Sequence, residues 1–232
     1  SNDSATTWYE YANEYIKSYT HSDIIAPDKP KISRLPKFNL SDTILRMTFD
    51  NVNNSVVPDY SPSGNYGINK GAQPVEGYYS NALHFSGKEY VSIPNNDSLN
   101  VQDTITINFL ALIERGEPSK GYMILSKGYA AQNGSFHVFV WDTNVYFSLG
   151  EGRYLSFPAT PFLGAWHHFI FSYDGEKMQA LVDGIYVASK PAKGSIRASP
   201  YDLEIGRDSE RKGYYFTGIL DELQISDKPL NV

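Results

Sequence analysis

Hydrophobic and polar residues alternate with a period of two along most of the chain after residue 40. Successive side chains of a β-strand point to opposite faces, so this alternation is typical of strands with one buried face. Glycine, proline, asparagine and aspartate separate the alternating segments, as expected of turns. Many short strands without an intervening long helix indicate two packed antiparallel sheets. We predict strands at 43–49, 82–85, 90–93, 105–113, 123–126, 136–140, 145–149, 167–173, 178–182, 185–189, 203–205 and 218–225.

The first part of the chain has a different pattern. Aromatic residues recur at helical spacing between residues 7 and 19, which predicts one short amphipathic helix. Residues 25–36 contain three prolines, which lack backbone donors and restrict the residues before them, so this segment is predicted to be an irregular linker. We therefore divide the chain into an N-terminal helix and linker at 1–41 and one β domain at 42–232.

Composition narrows the classes of function. With 41% hydrophobic and 20% charged residues the chain is typical of a globular protein, and no apolar run is long enough for a transmembrane helix. The net charge of -6 is spread along the chain without a basic cluster, which disfavours nucleic acid as a partner. Cysteine is absent, which excludes disulfides, thiolate zinc sites and a cysteine nucleophile.

Several short motifs occur in an informative order. The sequence has WHHF at 166–169, YDG at 173–175, VDG at 182–184, IGR at 205–207 and FTGILDEL at 216–223. Together they resemble the laminin G-like domains of the concanavalin A-like lectin/glucanase superfamily, over about residues 45–231. The resemblance implies an all-β fold, a two-sheet antiparallel jelly-roll sandwich. It also implies an extracytoplasmic protein, secreted or attached to the cell surface, because such domains are common in the secreted and surface proteins of bacteria.

A structural Ca²⁺ ion is expected from the same resemblance, because similar domains often hold one near the loop that corresponds to residues 58–65. The alternation from Ile219 to Ile225 also places Asp221 on the core-facing side of a strand, where an unpaired carboxylate is unfavourable. Calcium binds carboxylate and carbonyl oxygens. The alternative is that Asp59 caps its own turn and that Asp221 accepts backbone amides. The candidate metal ligands are Asp50, Asp59, Asn65 and Asp221.

Aromatic and polar residues in predicted turns are candidates for contact with a ligand. Aromatic rings cover the apolar face of a sugar, while polar side chains meet its hydroxyl groups. The alternative is that these rings close the ends of the sandwich. The candidate ligand-binding residues are Tyr129, Trp141, Tyr154, Arg207, Asp208, Tyr214 and Tyr215.

Catalytic residues are not evident in the sequence. Hydrolases of this fold carry alternating acidic residues along one strand, and glycosidases need two carboxylates across a cleft. Here Asp202 and Glu204 alternate on one predicted strand face, but only as a lone pair. The neighbouring His167 and His168 point to opposite faces of a strand, so they cannot bind one ion together. We predict a non-catalytic module that binds an extracellular glycan or polysaccharide. The alternatives are a protein-interaction or adhesion domain of a surface protein and, third, a glycoside hydrolase on the same fold.

Overall fold

The structure is a computed structural model that describes residues 40–52, 55–114, 121–128 and 135–230. Within these residues the chain forms antiparallel strands and three single-turn 3-10 helices, at Leu40–Asp42, Asp97–Leu99 and Thr160–Phe162. The predicted helix and nearly all of the predicted linker lie outside the described residues, as does Tyr129. No helix in the described ranges has the length and apolar character that crossing a membrane would require.

The strands follow one another with short connections. They are β1 Thr43–Met47, β2 Val56–Val57, β3 Gly67–Lys70, β4 Gln73–Glu76, β5 Asn81–Ser86, β6 Tyr90–Ile93, β7 Ile105–Ile113, β8 Tyr122–Lys127, β9 His137–Trp141, β10 Asn144–Ser148, β11 Tyr154–Pro158, β12 Trp166–Tyr173, β13 Lys177–Val182, β14 Ile185–Pro191, β15 Leu203–Ile205 and β16 Thr217–Ser226.

Two eight-stranded sheets form a sandwich. In the first sheet the strand order is β14-β13-β12-β7-β16-β5-β4, with β1 also paired to β16. In the second sheet the order is β11-β10-β9-β8-β15-β6-β3-β2. This architecture confirms the predicted all-β, two-sheet antiparallel fold.

A continuous hydrophobic core fills the space between the sheets. Phe109, Phe169 and Phe171 of the first sheet are fully buried, and the rings of Phe109 and Phe169 stack with centroids 5.5 Å apart. Phe147 of the second sheet meets Phe171 at 5.5 Å. Burial of one such ring stabilises the fold by about 1.5–3 kcal/mol, so this aromatic layer is a main source of stability.

Strands β2, β3, β4 and β11 were not evident in the hydrophobic pattern. The first of them, β2, has only two residues, and β4 includes Pro74. Strand β11 ends in Pro158 and lies at the edge of the second sheet. Proline lacks a backbone donor and occurs in sheets mainly at edges, which is why these segments resembled loops.

The prediction that Ile219, Asp221, Leu223 and Ile225 share one face is wrong. The pairing of β16 with β7 shifts register between Asp221 and Gln224, and Glu222 has a positive φ of 47°. This β-bulge adds a residue and changes which side chains face inwards. Leu220, Leu223 and Ile225 therefore lie in the core, while Ile219 packs on the opposite side of the sheet.

Candidate ligand-binding site

Aromatic side chains lie on the outward face of the second sheet. In β9 the even-numbered residues belong to the core, so Phe139 and Trp141 point outwards. The same alternation turns Tyr146 of β10 and Tyr154 of β11 outwards. Tyr214, from the loop before β16, contacts Trp141 with ring centroids 5.9 Å apart. We call Phe139, Trp141, Tyr146, Tyr154 and Tyr214 the aromatic surface.

The rings of the aromatic surface form two groups in contact, one of Phe139, Tyr146 and Tyr154 and one of Trp141 and Tyr214. Phe139 and Tyr146 stack almost in parallel, with an interplanar angle of 4° and centroids 4.9 Å apart. The ring of Tyr146 lies 5.8 Å from that of Tyr154. Trp141 is 44% exposed and Tyr154 is 45% exposed, so these two residues offer the largest accessible aromatic areas of the group.

The backbone of Gly121 positions the indole of Trp141. A Cβ atom added at Gly121 would lie 2.1 Å from Cε3 of Trp141, so only glycine leaves room for the ring here. Gly121 also has a positive φ of 52°, which glycine adopts without strain. The indole is held with one side against the chain, and Trp141 is 44% exposed to solvent.

Two contacts fix Tyr214 beside Trp141. Its carbonyl oxygen accepts a hydrogen bond of 2.7 Å from the backbone N–H of Met123 in β8. Its hydroxyl oxygen accepts one of 3.4 Å from Nη1 of Arg211. The loop before β16 thus extends the second sheet by one chain segment, next to β8.

A charged cluster borders the aromatic surface. Arg207 donates hydrogen bonds to both oxygens of Glu204, and Lys212 Nζ donates one of 3.1 Å to the same carboxylate. The guanidinium of Arg207 lies 3.3 Å from the ring centroid of Tyr90. Burial acts to lower the pKa of Arg207, but hydrogen bonds to Glu204 and Tyr215 outweigh it and raise the pKa. Arg207 is therefore permanently charged and held in place.

Asp208 lies inside its loop, although we predicted it as a ligand contact. Its side chain is fully buried, and Oδ1 accepts hydrogen bonds from the backbone N–H groups of Glu210 (3.0 Å) and Arg211 (2.7 Å). Burial raises its pKa. Its observed contacts are therefore those of a residue that shapes the loop.

The predicted ligand-binding residues are thus partly brought together. Trp141, Tyr154 and Tyr214 belong to the aromatic surface, while Arg207 and Tyr215 lie in the charged cluster beside it. Sequence reasoning missed Phe139 and Tyr146. The signal was present, because both residues alternate with apolar core residues in their strands and so had to face outwards.

Asp59 and Asn65 form one group of the predicted metal ligands. Oδ1 of Asp59 accepts hydrogen bonds of 2.8 Å from the N–H groups of Arg46 and Ser61. Oδ2 accepts bonds from Asn65 N at 2.6 Å and from Ser61 Oγ at 2.7 Å. The side-chain amide of Asn65 donates to the carbonyl oxygen of Ile44. Protein donors already satisfy this carboxylate, as in the turn-capping alternative.

Asp50 and Asp221 form a second group. The side-chain oxygens of Asp221 accept hydrogen bonds from the N–H groups of Tyr79 (2.9 Å) and Glu222 (2.8 Å). Burial raises the pKa of Asp221 to about 7, and the nearby carboxylates of Glu222 and Asp50 act in the same direction. Negative charge is concentrated here without a cationic hydrogen-bond partner for Asp221 among these contacts.

The four predicted metal ligands do not form one coordination set. Among the described residues, no hydrogen bond joins the pair Asp59 and Asn65 to the pair Asp50 and Asp221. In the same part of the chain, no group of three or more histidine, aspartate and glutamate side chains has the arrangement to hold a metal ion. Calcium binding stays a prediction, and the charge around Asp221 is the feature of this structure that favours a cation.

The acidic and histidine pairs noted in the sequence have separate partners. Glu204 is ion-paired to Arg207 and Lys212, whereas Asp202 accepts a hydrogen bond from the N–H of Asn95. His167 Nδ1 lies 2.6 Å from Asp183 Oδ2. Burial lowers the pKa of His168 to about 4, so its imidazole is neutral at pH 7. Asp202, Glu204 and His167 thus each have a separate protein partner.

Comparison with known proteins gives a family match. The sequence profile of a laminin G family, described as the concanavalin A-like lectin/glucanases superfamily, matches residues 85–232. No curated protein sequence matches the chain.

Solved structures share the fold at low sequence identity. The binding domain of Paraclostridial Mosquitocidal Protein 1 has a TM-score of 0.65 and 16% identity, over 83% of this chain and 51% of that one. The receptor binding domain of botulinum neurotoxin C/D mosaic serotype gives 0.64 and 13%, over 83% and 49%. Domain 4 of AbnA, an extracellular GH43 arabinanase from Geobacillus stearothermophilus solved with arabinotriose, gives 0.61 and 16%, over 82% and 94%. The chain spans about half the length of the toxin domains.

Proposed function

Because the chain belongs to the concanavalin A-like lectin/glucanases superfamily, we propose that it is a non-catalytic module that binds an extracellular carbohydrate on its aromatic surface. The observation that carries this proposal is the indole of Trp141, held against Gly121 and 44% exposed. A sugar ring has an apolar face of C–H groups that packs against an aromatic ring. A ring that is already fixed loses little conformational entropy when the ligand binds.

Polar groups near Trp141 suit the same ligand. The ring of Tyr214 contacts the indole, and the hydroxyl of Tyr214 accepts a hydrogen bond from the guanidinium of Arg211. Asn144 pairs with Trp141 across the hairpin. Such groups donate to and accept from sugar hydroxyls, which gives a carbohydrate site its orientation and specificity. The arabinotriose complex of AbnA domain 4 supports a carbohydrate ligand for this fold.

A protein ligand is the second candidate. Tyrosine, tryptophan and arginine are enriched in protein interfaces, and all three occur in or beside the aromatic surface. The similar receptor binding domain of a botulinum neurotoxin supports this alternative. A secreted or surface location would suit either ligand.

Asp50 and Asp221 are the proposed ligands of a structural Ca²⁺ ion, because a cation would offset the negative charge around the buried carboxylate of Asp221. The hydrogen-bond saturation of Asp59 argues against a ligand role for that residue.

A glycan array tests the proposed function, with Trp141→Ala and Tyr186→Ala variants beside the unmodified protein. Tyr186 is a suitable control because it is 48% exposed and lies on β14 of the first sheet. We expect selective glycan binding that falls about tenfold in Trp141→Ala, equivalent to about 1.4 kcal/mol, and is unchanged in Tyr186→Ala. Absence of binding to a broad panel, or equal binding by Trp141→Ala, would contradict the proposal.

A further inference from the structure

The aromatic surface continues across the second sheet as a row. Met123, which is only 6% exposed, pairs with Phe139, and Phe139 pairs with Tyr146, so these side chains are neighbours on adjacent strands. Tyr214 is bonded to the other side of Met123 through its carbonyl oxygen. At the opposite end, Tyr146 contacts Tyr154 of β11, the edge strand.

The row crosses five adjacent chain segments. Because neighbouring strands lie about 4.8 Å apart, the row from Tyr214 to β11 is about 19 Å long. A pyranose ring is about as wide as one strand spacing, so a single sugar covers only a small part of this length. Several consecutive units of an extended chain would be needed to contact the whole row.

Both ends of the row are accessible. Trp141 beside Tyr214 is 44% exposed, and Tyr154 at the other end is 45% exposed. A hydrogen-bond donor lies at each end of the row. Arg211 bonds to the hydroxyl of Tyr214, and Lys190 Nζ lies 4.6 Å from the ring centroid of Tyr154. A chain lying on the row can therefore continue past both ends, and its terminal units need not be recognised.

We infer that the aromatic surface binds consecutive sugar units within a linear polysaccharide, rather than a monosaccharide or a chain end. This inference rests on the proposed carbohydrate-binding function. Two observations carry it. Phe139, Tyr146 and Tyr154 contact one another in turn and Trp141 contacts Tyr214. Trp141 and Phe139 join the two groups because they lie on the same outward face of β9.

Calorimetric titration with oligosaccharide ladders tests the inference. The probes are arabino-, xylo-, cello- and manno-oligosaccharides from monosaccharide to hexasaccharide, together with the parent linear polysaccharides. For the series that binds, we expect affinity to rise at least tenfold between disaccharide and hexasaccharide. Reduction of the terminal sugar of the hexasaccharide should leave its affinity unchanged.

Variants at the two ends of the row sharpen the test. Trp141→Ala and Tyr154→Ala should each weaken hexasaccharide binding at least fivefold, while Tyr186→Ala should have no effect. If a disaccharide binds as tightly as the hexasaccharide and only Trp141→Ala weakens it, the extended site is refuted while carbohydrate binding stands. If neither the ladders nor the polysaccharides bind, the proposed function fails and the inference fails with it.

Discussion

The indole of Trp141 lies against the backbone of Gly121, where a Cβ atom would be only 2.1 Å from its Cε3. The exposed ring at the centre of the proposed site therefore depends on a residue that has no side chain. Gly121 itself lies just before β8, so one position at the start of a strand controls the orientation of a ring on its neighbour.

Substitution of Gly121 by alanine should weaken ligand binding without removing any aromatic ring. The added methyl group must displace the indole, and we expect a loss of glycan affinity similar to that of Trp141→Ala. Gly184→Ala is the matched control, because Gly184 has a positive φ of 81° but nothing within 4 Å of its Cβ position. Circular dichroism monitors folding. Unchanged affinity in a folded Gly121→Ala protein would show that the ring orientation is not needed.

Acidity should change stability through Asp221. Its pKa is raised from 3.8 in the unfolded chain to about 7 in the fold, so the folded state retains a proton that the unfolded state releases. The contribution of Asp221 to the free energy of unfolding should therefore be greatest below pH 4 and fall as the pH rises from 4 to 7. His137 and His168, whose pKa values burial lowers to about 4, contribute in the opposite direction. Each unit by which the pKa of Asp221 differs between the folded and unfolded states is worth up to about 1.4 kcal/mol of unfolding free energy. Urea unfolding of the unmodified protein and of Asp221→Asn across this range isolates Asp221, and the unmodified protein should lose stability relative to the variant as the pH rises. The same pH dependence in both proteins would show that Asp221 does not titrate in this way.

Calcium should raise the melting temperature if it binds near Asp221. A bound cation favours the ionised carboxylate, so the increase should be larger at pH 7 than at pH 5. Asp221→Asn should abolish the response. Asp59→Asn serves as the comparison, since the contacts of Asp59 indicate a turn-capping role. A response lost in Asp59→Asn alone would instead support the loop as the site, and no response to calcium in the unmodified protein would refute calcium binding.

Lys127 should be needed for stability although it is a charged residue inside the sandwich. Its side chain is fully buried, and Nζ donates to Asn95 Oδ1 (2.6 Å) and to the carbonyl oxygens of Ser199 (3.1 Å) and Tyr201 (2.9 Å). Lys127→Met would leave these acceptors without their donor and should lower the free energy of unfolding by about 1–3 kcal/mol. Denaturant unfolding measures this. Equal or greater stability in the variant would mean that burying the ammonium group outweighs its hydrogen bonds.

The period-two pattern predicted most strands because each strand has one face in the core. The same pattern also predicts that Phe139 and Tyr146 point outwards, because each alternates with apolar core residues in its strand. It could not show the β-bulge at Glu222, where a local backbone conformation reverses the alternation.

Contacts between residues far apart in the sequence could not be predicted from the hydrophobic pattern either. Asp221 accepts a hydrogen bond from Tyr79, which is 142 residues away, and Asn65 donates to Ser98, 33 residues away. Neither spacing has a periodic signature, because the approach of two loops depends on the packing of the sheets that carry them. For this reason the grouping of the predicted metal ligands emerged only from the three-dimensional arrangement.

The pairing of β1 with β16 has a consequence for how the domain can be joined to other proteins. The carbonyl oxygen of Asp42 accepts a hydrogen bond of 2.8 Å from Ser226 Oγ, so the start of the first strand and the end of the last strand in the described part of the chain lie side by side. Both belong to the first sheet, whereas the aromatic surface is on the second. The domain can therefore be inserted within a longer polypeptide through two adjacent attachment points, or circularly permuted there, with its aromatic surface left uncovered.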